Sequence, residues 1–106
     1  MTRTLIVMPA KAQRGEVIEI KAMVEHVMET GFRHTELGMR VPRNIIRSFI
    51  CLYNGEKVFA ADFHPAMVSN PVVQFFVRVE QSGHFDFQWL GDQGFVVNGQ
   101  TSLVVD

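Results

Sequence analysis

The chain is poor in the groups that make or break bonds. It has one cysteine in 106 residues, Cys51, which excludes an intrachain disulfide and points, weakly, to a reducing compartment. Ten Lys and Arg stand against eleven Asp and Glu. There is thus no basic surplus to draw in nucleic acid and no acidic tail. The apolar run near the N-terminus, Leu5 to Pro9, spans five residues, short of the ~7–15 of a secretory signal core. No run approaches the ~20 apolar residues of a membrane helix. The sequence therefore predicts no membrane span and no export signal of its own.

Reaction-grade motifs are missing as well. There is no G-x-G-x-x-G, no P-loop and no G-x-S-x-G. His26, His34, His64 and His84 form no H-x-H or H-x₃-H pair, and there is no C-x₂-C. Cys51 lies mid-strand between Ile50 and Leu52, with only Arg47 as a basic neighbour on its face, so it reads as a buried structural thiol. Glu16, Glu19 and Glu25 fall on a solvated strand face. The expectation is no catalytic residue, no cofactor and no metal. One metal alternative stays open: His26 and Met28, a soft pair at i, i+2, joined by Met39 or Met67, would suit copper in a stand-alone periplasmic sandwich.

What the chain does have is apolar strand. The hydrophobic fraction is 47%, with nine Phe, and eight Gly raise it to about 55%, above the usual ~45–50%. "TLIVMP" is a short strand stopped by Pro9, which lacks an N–H. In "RGEVIEIKAMVEH", Ile18, Ile20, Ala22 and Val24 share one face, and Val17, Glu19, Lys21, Met23 and Glu25 the other, which is the period of a half-buried strand. "NIIRSFICLYNGEKVFAADF" reads as two strands about Asn54-Gly55, a strong hairpin signal. "HPAMVSNP" is a loop. "VVQFFVRVEQSGHFDFQWLGDQGF" reads as a second hairpin about Ser82-Gly83, with Phe85, Phe87 and Trp89 facing the core. "FVVNGQTSLVV" closes the chain, with a turn or bulge expected at Asn98-Gly99. About seven strands, turn signals roughly every ten residues and no helical pattern predict an all-β, immunoglobulin-like antiparallel β-sandwich in one domain, residues 1–106.

Two strands are apolar on both sides. In "NIIRSFICLY", Ile46, Ile50 and Leu52 make one face, and Ile45, Phe49, Cys51 and Tyr53 a second. In "VVQFFVRVE", Val73, Phe75, Val77 and Val79 make one face, with Val72 and Phe76 on the other. Antiparallel sheets normally solvate one side. Either long loops or a closed barrel cover the second faces, or a partner protein does. Residues 27–42 form a long connection of the kind that is often functional.

Three pieces of the chain resemble the SoxZ family. They are "RGEVIEIKAMVEHVMETGFR" with the Pro-containing loop after it, "PRNIIRSFICLYNGEKVFAADFHPAMVSNP" and "HFDFQWLGDQG". The resemblance runs from Arg14 to about Leu103. Its most specific parts are Met28-Glu29-Thr30-Gly31-x-Arg33, Tyr53-Asn54-Gly55 and Pro65…Asn70-Pro71. The family pattern has a proline after the histidine of the first loop, where this chain has Val27. The resemblance implies an immunoglobulin-like sandwich without catalytic activity, the small subunit of a sulfur-carrier complex in bacterial thiosulfate oxidation. Its implied partner in the heterodimer is SoxY, whose arm cysteine carries the sulfur. Implied too are visits from a Sox cytochrome, a thiosulfohydrolase and a sulfane dehydrogenase. The implied location is the periplasm, reached with the signal-bearing partner.

The stretch "EHVMETGFRH" then reads as a docking loop for SoxY or for the visiting enzymes. Met28 and Phe32 offer adaptable apolar contact. Glu29 and Arg33, four apart, set orientation by charge. Thr30 and Gly31 permit a tight bend. With Ile45, Phe49, Tyr53, Val72 and Phe76 from the two-faced strands, these are the expected interface residues. Aspartate at Phe49 or Phe76 should weaken the pairing without unfolding the domain. An uncovered apolar face also makes a homodimer of the isolated chain credible. A generic adhesion or transporter-associated sandwich module is the third reading.

Overall fold

Period-two alternation of inner and outer side chains marks the long strands, though one of them, residues 46–53, is apolar on both faces. The structure, a computed structural model, describes residues 3–64 and 69–106. Its strands are β1 (Thr4–Val7), β2 (Lys11–Ala12), β3 (Val17–Val24), β4 (Ile46–Tyr53), β5 (Glu56–Asp62), β6 (Val72–Arg78), β7 (Gly83–Gly91) and β8 (Val96–Val105). Among the described residues there is no helix. One sheet has the order β1-β3-β6, the other β2-β8-β7-β4-β5. All pairings are antiparallel except that of β2 with β8. Two packed sheets are the expected sandwich, with a short extra strand, β2, that the pattern did not show.

The core lies between the sheets. From the small sheet come Ile18, Ile20, Ala22, Val24, Val73, Phe75 and Val77; from the large one Phe49, Cys51, Phe85, Phe87, Trp89 and Leu103. Phe49 is its hub, with ring centroids 5.1 Å from Trp89, 5.9 Å from Phe75 and 6.2 Å from Phe87. Phe59 stacks on Phe75 at 4.2 Å and closes one flank.

Two turn expectations are corrected. No hairpin forms about Ser82-Gly83: β6 pairs with β3, aligning Phe75 with Ile20, and residues 79–82 cross to the other sheet with Val79 buried as a plug. Gly83 answers a different need. A Cβ there would lie 1.8 Å from Asn54 Oδ1, the acceptor that holds the His84 N–H at 3.0 Å. Nor is there a turn or bulge at Asn98-Gly99. Both residues sit inside β8, opposite Gln88 and Phe87, and the turn into β8 is made at Gln93 and Gly94, which have positive φ. The Asn54-Gly55 hairpin stands as expected, with φ of 49° and 85°.

Candidate partner-docking surfaces

The expected interface residues divide sharply by burial. Phe49 is 1% exposed, and Ile45, Met28 and Gly31 are buried with it. Ile45 and Phe49 are therefore removed from any contact surface, and aspartate at Phe49 would open the core. Phe49 shares the inner face of β4 with Cys51, leaving Ile50 and Leu52 as the outer pair, and a register shift between Ile46 and Ser48 lets Ile46 be buried beside Ile45. Met28 is likewise a core residue: its sulfur accepts the Ile46 N–H at 3.4 Å. Tyr53 is half-buried and stacks on Phe85 at 4.6 Å. Its hydroxyl accepts the Gln81 N–H at 3.0 Å, so it pins the β6–β7 crossing. Glu29 and Thr30 are half-buried, and Phe32, Arg33, Val72 and Phe76 are exposed.

Val72 and Phe76 belong to a wider surface. Pairing aligns Leu5 with Met23, and Met23 with Val72, in one row across the outer face of the three-stranded sheet. The next rows are Val7–Lys21–Gln74, then Glu19–Phe76 and Val17–Arg78. Leu5, Val7, Val17, Val72 and Phe76 are all at least half exposed, with Phe76 highest at 63%. Sequence reading placed Val17 and Met23 on the solvated side of β3. It did not see that β1 would lay Leu5 and Val7 beside them, because strand order is a tertiary fact.

The second surface is a finger built on residues 27–42. His34 bridges to Arg40. The Val41 N–H donates to the Arg33 carbonyl at 2.8 Å and the Thr35 N–H to the Met39 carbonyl at 2.7 Å. Gly38, with φ 79°, turns the tip. Leu37 at that tip is 88% exposed, and Val27, Phe32 and Met39 are each more than two-thirds exposed. The Arg40 guanidinium lies 5.9 Å from the Phe32 ring centroid, a cation–π arrangement. Arg33 Nη2 meets Glu29 Oε1 at 2.7 Å, so the two charges expected to orient a partner pair with each other.

Asp92 ties the finger's base to the sandwich. Its carboxylate accepts Arg43 Nε at 2.8 Å and Arg43 Nη2 at 2.9 Å, and it takes the Ile45 N–H at 3.2 Å. Arg47 Nε stands 3.3 Å away. The Arg43 hydrogen bonds hold its pKa below the ordinary value. Nothing in the sequence marked Asp92, since its partners lie far along the chain. Nearby, buried His26 packs edge-on against Phe95 at 4.8 Å, and burial pushes its pKa down.

The chemistry of these surfaces is contact. Burial raises the Cys51 thiol to about 12, so it carries no thiolate at neutral pH. Among the described residues no group of three His, Cys, Asp or Glu could hold a metal ion. Of the copper candidates, Met28 is sealed in the core, Met39 stands out on the finger, and Met67, like Pro65 of the resemblance, lies outside the described residues.

Comparison with known proteins agrees with the architecture. A family model described as "Sulphur oxidation protein SoxZ" matches residues 6–102. Comparison with curated proteins gives no match. Among solved structures, the superoxide reductase (neelaredoxin) of Ignicoccus hospitalis superposes with a TM-score of 0.77 at 16% identity, over 99% of this chain and 82% of its own. The sulfur carrier protein SoxY from Chlorobium limicola f thiosulfatophilum gives 0.67 at 13% identity, over 97% of this chain and 78% of its own. At such identities the likeness is one of fold.

Proposed function

The chain belongs to the SoxZ family of sulphur oxidation proteins, and from that premise we propose that it binds a SoxY-type carrier through the outer face of its three-stranded sheet. The family supplies a non-catalytic subunit of the Sox system. The observation that carries the docking assignment is the apolar row Leu5–Met23–Val72 on the outer face of the sheet, with exposed Val7 in the next row and exposed Phe76 in the row beyond it. Several large apolar residues exposed on one sheet face mark an interaction site, and a flat, strand-built one with an exposed aromatic suits a lasting subunit contact. In this reading the carrier holds the sulfur intermediate of thiosulfate oxidation on its own cysteine, and this chain holds the carrier. The periplasm is the proposed compartment.

The finger takes the second role. It projects from the sandwich, and its Leu37 and Met39 adapt to different surfaces. That suits the transient visits of the Sox cytochrome, thiosulfohydrolase and sulfane dehydrogenase. Co-expression with the carrier tests the main assignment. Wild-type chain should co-elute as a heterodimer, and Phe76→Asp should lose the carrier while keeping its fold. A heterodimer indifferent to both Phe76→Asp and Val72→Asp would refute it.

A further inference from the structure

The three-stranded sheet ends at β6, and that edge has features the other edges lack. Val24 N–H donates to the Pro71 carbonyl at 3.5 Å, and Val79 N–H to the Glu16 carbonyl at 2.9 Å. Odd-numbered residues of this segment therefore turn their peptide groups toward β3. In an antiparallel ladder the alternate residues turn theirs away, so Val72, Gln74, Phe76 and Arg78 direct N–H and C=O outward. Among the described residues no strand pairs with them. The β3–β6 register is unbroken along its length, so this edge is straight and regular.

The remaining edges are blunted. β1 has four residues and β2 two. β5 carries Glu56, Lys57 and Asp62 and faces a register shift between Cys51 and Leu52. The part of β8 that β2 leaves uncovered is long, but it holds Gly99 and an outer row that is polar apart from Val96, namely Asn98, Gln100 and Ser102, so a strand added there would bury little apolar surface. β6 has no proline or lysine and presents Val72 and Phe76 outward.

We propose that β6 is a pairing edge and that its occupant is β6 of a second copy of this chain, antiparallel and related by a twofold axis through Phe75. That register sets Gln74 of one copy opposite Phe76 of the other, and Val72 opposite Arg78. Every outward peptide group from Val72 to Arg78 then finds a partner. On the inner side Val73 meets Val77 and Phe75 meets Phe75, which covers the flank where Phe59 stacks on Phe75. Arg78 is the one charge in β6, and it lands opposite a valine, so no like charges oppose each other. The product is one six-stranded sheet whose apolar outer face stays open, so the pairing is independent of carrier docking.

The test is sedimentation of the isolated full chain over a concentration series, with amide hydrogen exchange at each concentration. The proposal expects a dimer in which the amides of Val72, Gln74, Phe76 and Arg78 gain protection as concentration rises. The amides of Val73, Phe75 and Val77 should stay protected throughout. Gln74→Pro removes an outward N–H and no backbone bond to β3, losing there only the exposed side-chain bond to Glu19, at a position where an edge strand tolerates proline. It should raise the dimer dissociation constant by more than about tenfold while the odd-numbered amides remain protected. A monomer up to the millimolar range would overturn the proposal. So would a dimer whose even-numbered β6 amides exchange freely, or one that Gln74→Pro leaves unchanged. Protection of those amides only when a carrier is added would replace the second copy with another occupant and overturn it equally.

Discussion

The two outer faces of this sandwich both carry apolar residues and end up unlike. On the five-stranded sheet, Ile50 and Leu52 are half-buried beside Asp86, Gln88 and Asn98, with which they line one shallow cleft. There Gln88 Nε2 donates to Asn98 Oδ1 at 3.1 Å, and Gln100 Nε2 to Asp86 Oδ1 at 2.8 Å. Cross-strand amide and carboxylate pairs screen Ile50 and Leu52, and on that face only Val96 and Val104, at the two ends of β8, are about half exposed among the described residues. On the three-stranded sheet the polar residues are fewer, and Lys21 and Gln74 both turn to Glu19 in the next row. Leu5, Val7, Val17, Val72 and Phe76 are left open. Apolar content alone does not make an interface; what decides is whether the same face also carries the polar groups that cover it.

The sharpest way to break this contrast is to compare an inward aromatic with an outward one. Phe49→Ala should cost about 3–5 kcal/mol of stability, as large-to-small changes of buried aromatics do, read as a lower denaturation midpoint. Phe76→Asp should leave that midpoint within about 0.5 kcal/mol and instead weaken carrier binding by about 2–4 kcal/mol, as truncation of an interface anchor does, measured by calorimetry. If Phe76→Asp unfolds the chain as Phe49→Ala does, the small sheet's outer face is covered from within and the contrast fails.

Acid separates the finger's base from both faces. Asp92 has a depressed pKa, so its contribution is complete above the ordinary carboxylate range near pH 4 and is lost as pH falls through its lower folded value. His26 has a lowered pKa and is held neutral, so protonation favours the unfolded chain as pH falls below about 6.5. Stability should therefore decline on acidification. Asp92→Asn should flatten the lower part of that decline and cost about 1–3 kcal/mol at neutral pH, because Arg43 and the Ile45 N–H lose a charged acceptor. A pH profile identical to wild type would show that Asp92 does not anchor the loop.

Smaller effects should follow at the edges of the comparison. Arg33→Ala should slow carrier or enzyme association by a few-fold, with the change vanishing at high salt, because an exposed charge acts on encounter. Gln88→Leu, on the screened face, should alter neither carrier binding nor stability by more than about 0.5 kcal/mol.

Much of this molecule was legible in its sequence because period-two patterning reports burial one strand at a time. β3 and β6 were read with the right faces, and the Asn54-Gly55 turn with the right geometry. Phe49 was misassigned because both faces of β4 are apolar and patterning alone does not rank them; it lies on the same inner face as Cys51. Gly83 looked like a turn but serves a close approach by Asn54. Leu5 and Val7 were missed as part of the exposed apolar face, and Asp92 as an anchor, because those placements depend on which strands and loops become neighbours. The candidate surface was half visible: Val72 and Phe76 stood out, and the row they complete did not.

Hydroxyl-radical footprinting of the chain alone and in complex with its co-expressed carrier tests the central assignment most directly. The account predicts that Leu5, Met23, Val72 and Phe76 lose reactivity in the complex while Ile50, Leu52 and Val96 keep theirs. Unchanged reactivity at the first group, with loss at the second, would contradict it.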